Sequence, residues 1–290
     1  MCLADRVTRT GIDTSIVGVG QGPWTRTWTS DDTLLYALAV GAGQLDPTVE
    51  LAFTTENTGG VQQQALPTYA IVLAQFGGPQ AGLTGVDLTK LLHGEQSLTL
   101  YRPLPVAGAV ELTSTVTDIF DKGSGALVVT TTTGTDPADG TPMFATRSSV
   151  FARGAGGFGG DRGPSSAYTA PDRPADVVLR FPTSVNQALL YRLTGDRNQL
   201  HADPAFAAAG GFDRPILHGL ATYGITVRLL LGEFGDRLSF VDGRFTKPVT
   251  PGDELVVSAW RDGDAVLFRT ANGAGDVVLD RGRAEFTPAA

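Results

Sequence analysis

A carboxylate, an amide and an imidazole fall within one short stretch of this chain, as Asp196, Asn198 and His201. They close the segment Tyr191-Arg-Leu-Thr-Gly-Asp-Arg-Asn-Gln-Leu-His201, and Asp203-Pro204 follows. A carboxylate and an imidazole that share a water can polarise it and pass on its proton. Such positioned acid–base help is commonly worth about 10²–10⁴ in rate. Asn198 offers both a donor and an acceptor, and can orient the water or the acid. Asp and Asn are also turn formers, and His201 could be a satisfied structural group. A lone Gly-Asp-x-Asn would read that way; the clustering here favours a site. With Asp203 added, the same residues mimic a metal-ligand set. Their spacing is not that of an EF-hand, and no i, i+4 histidine pair of the zinc type occurs. No metal or cofactor is expected.

A second signal lies just downstream, Pro215-Ile-Leu-His-Gly219, leading into an apolar run from Leu220 to Leu231. If a helix starts near His218-Gly219, its free N–H groups and dipole face whatever sits there. That suits a carbonyl oxygen gaining negative charge. Gly219 would let a ligand approach the backbone closely. Taken alone, His218-Gly219 could equally be the mere start of a helix.

The elements that must hold these groups can be read outward from them. Gly195 before the acid, and Asp203-Pro204 as an N-cap with proline at the first helical position, put Asp196 to His201 in a turn between two helices. In the first half, residues 1–23 are polar and Gly-rich, a loose arm. Trp28 to Val40 reads as a helix capped by Ser30 or Asp31, with Leu34, Leu35 and Leu38 as its apolar stripe. Leu66 to Phe76 reads as a buried helix, opened by Pro67 and stopped by Gly77-Gly78-Pro79. Strands are expected from Glu95 to Tyr101, Val110 to Ile119, Leu127 to Thr133 and Ser148 to Arg153. Residues 154–178, rich in Gly and Pro, read as a linker between units at 24–153 and 179–290.

The two units echo each other. Leu189-Leu190-Tyr191-Arg-Leu193 matches Leu34-Leu35-Tyr36-Ala-Leu38. Leu220-Ala-Thr-Tyr-Gly-Ile225 matches Leu66-Pro-Thr-Tyr-Ala-Ile71, and Lys247-Pro248 with its Gly252 matches Arg102-Pro103 with its Gly108. The order is the same in both halves, which points to a duplicated unit. The first half continues Tyr36-Ala-Leu-Ala-Val-Gly-Ala-Gly-Gln-Leu-Asp46, without the acid, the amide or the histidine. One half therefore works and the other serves a different purpose.

Composition sets the outer limits. The chain has 290 residues, 42% hydrophobic and 18% charged, enough for a buried core. Its net charge of −8 argues against nucleic acid as a partner, which needs a basic face. Cys2 is the one cysteine, so neither an internal disulfide nor a cysteine zinc site can form. No apolar run approaches the ~20 residues of a membrane helix. No secretory or peroxisomal signal is read, and the cytoplasm is the expected location.

At the polar cluster the chain resembles the hydratase 2 branch of the MaoC-like dehydratase family, the R-specific enoyl-CoA hydratases. Their motif is Y-x-L-[ST]-G-D-x-N-P-L-H; Gln199 stands here in place of the proline. Pro-Ile-Leu-His-Gly219, Arg244-Phe-Thr-Lys-Pro-Val249, Leu92-His-Gly-Glu-Gln96 and Asp121-Lys-Gly-Ser-Gly125 look similar too, so the likeness runs from about residue 27 to the end. The resemblance implies an α+β double hot-dog: two antiparallel sheets, each wrapping a long helix. It implies reversible hydration of a trans-2-enoyl-CoA to the (3R)-3-hydroxyacyl-CoA by a homodimer. Asp196 and His201 would activate the water, with Asn198 in support, and the Gly219 N–H would bind the thioester oxygen. His93, Gly94, Lys122 and Phe245, with Arg197, would line the CoA-thioester site. Lys122 could also be a solvated lysine in a Gly-rich turn. The stripped first half is expected to accommodate the acyl chain. A dehydratase on carrier-bound thioesters, a thioesterase and a non-catalytic acyl-CoA-binding protein are the competing readings.

Overall fold

The apolar run after His218 forms the longest helix among the described residues, because a helix apolar on all sides is stable only inside a core. The computed structural model describes residues 12–75, 90–164, 168–235 and 237–287. In the first half the elements are β1 (Gly20–Trp28), α1 (Ser30–Ala39), α2 (Leu51–Thr54), α3 (Tyr69–Gln75), β2 (Leu91–Leu100), β3 (Gly108–Asp121), β4 (Gly125–Thr135) and β5 (Pro142–Arg153). The second half has β6 (Val177–Pro182), α4 (Gln187–Tyr191), α5 (Pro204–Ala209), α6 (Gly219–Phe234), β7 (Leu238–Phe245), β8 (Glu254–Asp262), β9 (Ala265–Asn272) and β10 (Val277–Phe286).

All ten strands pair antiparallel in one sheet of order β1-β3-β4-β5-β2-β7-β10-β9-β8-β6. Read outward from the β2–β7 seam, each half runs through the same sequence of strands. The repeat read from the three echoes is thus a repeat of topology, and the fold is the double hot-dog. The seam is held by five residue pairs, Glu95 with Arg244 through Thr99 with Phe240. One hydrophobic core runs through both halves, from Trp28 and Tyr36 to Phe268 and Leu279. The echoed tyrosines Tyr36 and Tyr191 meet in it edge-on, ring centroids 6.2 Å apart.

Several local expectations need correction. α1 is capped by Thr29, not Ser30 or Asp31; Thr29 and Asp32 form a reciprocal capping box. Its buried face is Thr33, Tyr36 and Ala37, while Leu38 is 42% exposed. The stripe was misread because Thr33 Oγ1 can turn inward, donating to the carbonyls of Ser30 and Val106. The helix expected over 66–76 begins at Tyr69; Leu66, Pro67 and Thr68 form i→i+3 turns leading into it. Phe76 and the Gly77-Gly78-Pro79 stop lie outside the described residues, as do residues 1–11 of the arm. Residues 20–23 of that arm belong to β1, whose register shift between Gln21 and Trp24 hides its alternation.

The Gly-rich stretch after β5 is bonded to the sheet rather than free. Asp121 Oδ1 accepts from the N–H groups of Gly123 and Gly157, and its Oδ2 from Gly159, each at 2.8 Å. Backbone donors, Gly157 and Gly123 foremost, hold its carboxyl down to about 2. No described helix is long and apolar enough to cross a membrane.

Candidate active site

The polar cluster occupies the turn between α4 and α5. α4 passes into a 3₁₀ turn at Arg192–Thr194, and Gly195 breaks the helix with φ 141°. Asp196 then turns the chain, its Oδ1 accepting from the Asn198 N–H at 3.1 Å. Asn198 caps the next 3₁₀ turn, Gln199–His201, by accepting from the Leu200 N–H at 3.0 Å. Asp203, weighed above as a metal ligand, instead caps α5, accepting from Ala205 and Phe206 with Pro204 at the first position. The local sequence thus folds as a chain of Asx turns, which brings the Asp196 carboxylate and the His201 ring together.

Hydrogen bonds settle the tautomers. His201 Nδ1 lies 2.9 Å from the Ile216 carbonyl. A carbonyl only accepts, so Nδ1 carries the proton and Nε2 offers its lone pair. His201 is 9% exposed, and burial lowers its pKa despite the nearby Asp196 charge, so it stays neutral. His218 is 1% exposed, and its Nε2 donates to the backbone carbonyl of Asp196 at 3.3 Å. Its ring stacks on His201, centroids 3.8 Å apart and planes at 29°. Burial first, then its neighbour His201, push the His218 pKa down to about 2. One ligand atom from each of Asp196, His201 and His218 lies within 4.8 Å of the others.

His218 is also the N-cap of α6, which starts at Gly219. Ala221 N–H donates to the His218 carbonyl at 3.1 Å, which leaves Gly219 and Leu220, both lining the cavity, as the helix-start residues whose N–H groups have no acceptor within the helix. A Cβ at Gly219 would stand 3.2 Å from the Phe245 ring, so glycine keeps this end open.

A cavity of about 1130 Å³ joins these groups. Asp196, Asn198, His201 and Gly219 line it from the second half, and His93, Gly94, Lys122 and Phe245 from the seam and the first half. The His93 and Phe245 rings are 4.7 Å apart, and burial lowers the His93 pKa to about 4. Lys122 Nζ donates to the Arg162 carbonyl and sits 5.3 Å over the Phe120 ring, so it belongs to the cavity rim. Arg197 is not brought in: it is exposed and absent from the lining. Other cations reach the wall, among them Arg153, Arg244, Lys247 and Arg281. Arg244 and Lys247 belong to the Arg244 to Val249 stretch already singled out in the sequence, whereas Arg153 on β5 and Arg281 on β10 reach the wall from strands whose local sequence carries no such signal. The reading of the sequence also left His218 out of the acting residues. Its stacking on His201 depends on where α6 starts relative to the turn, which spacing alone does not reveal.

Comparison with known proteins bears on the whole chain. Residues 27–154 match the family model described as MFE-2 hydratase 2 N-terminal domain, and residues 166–282 match the MaoC like domain. The chain is 44% identical over 289 residues to the 3-hydroxyacyl-thioester dehydratase Y of Mycobacterium tuberculosis, covering 95% of this chain and 98% of that protein. It is 41% identical over 273 residues to the enoyl-CoA hydratase ChsH3 of the same organism, covering 90% and 93%. The crystal structure of a MaoC-like dehydratase from Phytophthora capsici superposes with a TM-score of 0.83 at 32% identity, over 95% of this chain and 98% of that one.

Proposed function

Since the chain belongs to the MaoC-like dehydratase family, in its hydratase 2 branch, we propose that it catalyses the reversible addition of water to a trans-2-enoyl-CoA, with Asp196 and His201 as its acid–base pair. The product in this reading is the (3R)-3-hydroxyacyl-CoA. The observation that carries it is the meeting of the Asp196 carboxylate and the His201 ring, whose Nδ1 is taken up by the Ile216 carbonyl, in the cavity lined by Gly219 at the head of α6.

A water between two acceptors donates one hydrogen to each, which turns an oxygen lone pair toward the substrate. That oxygen attacks the β-carbon while the π electrons move onto the thioester oxygen. The Gly219 N–H, aided by the helix dipole, stabilises the enolate. The proton lost by the water enters the Asp196–His201 pair, and the pair returns a proton to the α-carbon. Because one pair does both, hydroxyl and hydrogen add to the same face. Asn198 holds the turn that aims Asp196. His93, Gly94, Lys122 and Phe245 border the thioester and pantetheine, and the first half accommodates the acyl chain. A second copy of this chain is the further partner, and sedimentation at the dimer mass is its check.

The test is the loss of enoyl-thioester absorbance on adding crotonyl-CoA and longer enoyl-CoAs, followed by chiral analysis of the product. Hydration to the R product is expected. No change at any chain length, or an S product, defeats the reading, and activity confined to the four-carbon substrate defeats the role given to the first half.

A further inference from the structure

The Gly-rich segment after β5 reaches the cavity mouth. Pro164 lines the wall there, together with Phe120 and Lys122 from the end of β3 and Arg153 from the end of β5. Asp121 ties the segment down with both its side chain and its backbone. Its carboxylate takes the Gly157 and Gly159 N–H groups, and its own N–H donates to the Asp161 carbonyl at 2.8 Å. Further along, Gly163 N–H donates to Asp161 Oδ1 at 2.9 Å. Glycine is needed at two places for so close a fit. A Cβ at Gly156 would lie 2.5 Å from the Gly123 carbonyl oxygen, and one at Gly163 would lie 2.7 Å from the Phe120 ring. The result is a strap laid over the turn that carries Lys122.

A connector between two units requires none of this, and glycines lose the most freedom when they are fixed. What the strap holds is the Lys122 side chain. Its ammonium donates to the Arg162 carbonyl of the strap and stands 5.3 Å over the Phe120 ring. A free lysine samples many rotamers, and a ligand that binds it must freeze them. Here the strap has frozen them beforehand and occupies one of three N–H donors, so the others can meet an anion. None of the ion pairs among the described residues involves Lys122.

Resting on the hydratase reading above, we propose that the strap is part of the CoA site, and that Asp121 is the positioning residue that sets Lys122, through the strap, for a CoA phosphate. The acyl tail and the pantetheine arm carry no charge. The arm that Lys122 borders ends in the diphosphate of CoA, which is the chemistry a fixed ammonium at the rim recognises. Presetting the side chain lowers the entropy lost on binding, so the strap acts on affinity for the nucleotide end and not on the addition of water.

The test compares kcat/KM for crotonyl-CoA with that for crotonyl-pantetheine, which has the same arm and no phosphate. Lys122→Met is expected to lower this CoA preference by about tenfold, the scale of one charge-assisted hydrogen bond. Asp121→Asn should lower it in the same direction, with the loss for crotonyl-CoA in KM, and should change it no further once Lys122 is replaced by Met. Gly163→Val drives a side chain into Phe120 and lifts the strap without altering Asp121, so it should act alike and keeps the test independent of how one variant folds. The ratio is taken within each variant, so a partly unfolded preparation does not distort it. The proposal is overturned by a CoA preference that neither strap variant moves, or by a loss for crotonyl-CoA that lies in kcat. It is equally overturned if the Asp121→Asn effect persists in full without the Lys122 ammonium. If the parent hydrates crotonyl-CoA meanwhile, the hydratase reading stands without the strap. If no enoyl-thioester is hydrated at all, that reading is what has failed.

Discussion

His93, His201 and His218 are the only histidines of the chain, and all three sit at or beside one cavity. Each is driven toward its neutral form by burial, His93 to about 4 and His218 to about 2, with His201 lowered too. The proposed hydration needs that neutrality, because only a neutral His201 has a ring-nitrogen lone pair to offer a water. The sign of the pH effect on stability follows. The unfolded chain binds protons near pH 6.5 that the folded chain refuses, so stability is full above 6.5 and falls as pH drops toward the depressed folded values. Each histidine contributes about 1.4 kcal/mol per pH unit in that window. Urea unfolding between pH 7 and 4.5 should show this decline, and a flat profile would mean that the rings protonate in place. At fixed pH, Asp196→Asn and His201→Ala are each expected to lower kcat by about 10²–10⁴ with folding intact. Near-normal turnover in either variant would remove that residue from the acid–base pair.

Elements decide where those residues meet. α6 owes its length to an all-round apolar sequence, and its start to the His218-Gly219 pair, so both facts were legible in the chain. The Asx turns of Asp196, Asn198 and Asp203 were legible as well, since Gly, Asp, Asn and Pro each have a defined local use. The Gly-rich stretch after β5 was not. Composition gave it as a connector, but the Asp121 carboxylate gathers three of its neighbouring and linker N–H groups, a contact made across 36 and 38 residues for Gly157 and Gly159. Asparagine at 121 keeps a single acceptor oxygen and no charge, so the segment should open more often. Trypsin cleavage after Arg162 is expected to quicken roughly tenfold in Asp121→Asn, since one charge-assisted bond is worth about a decade. An unchanged cleavage rate would show that other contacts hold it.

The two halves are joined by more than the β2–β7 seam. Arg228, in the middle of α6 and 6% exposed, crosses to the first half. Its Nε donates to the Val40 carbonyl at 2.9 Å and its Nη1 to both Glu50 oxygens at 2.7 and 2.8 Å. Glu50→Gln would leave a guanidinium buried without its counter-charge. A loss of about 3 kcal/mol, the lower end for a broken buried pair because Glu50 is partly exposed, is expected in chemical denaturation. A variant as stable as the parent would mean that the pair carries no net weight. The sequence by itself determined the duplication, the burial of α6, the turn chemistry around Asp196 and the asymmetry between a half with Asp, Asn and His and a half without. Those are properties of residue type and spacing along the chain. The tertiary structure alone decided the stacking of His218 on His201, the crossing of Arg228 to Glu50 and the arrival of Arg153 and Arg281 at the cavity wall. Each of these joins residues remote in sequence, and packing between distant segments leaves no local trace in the order of amino acids.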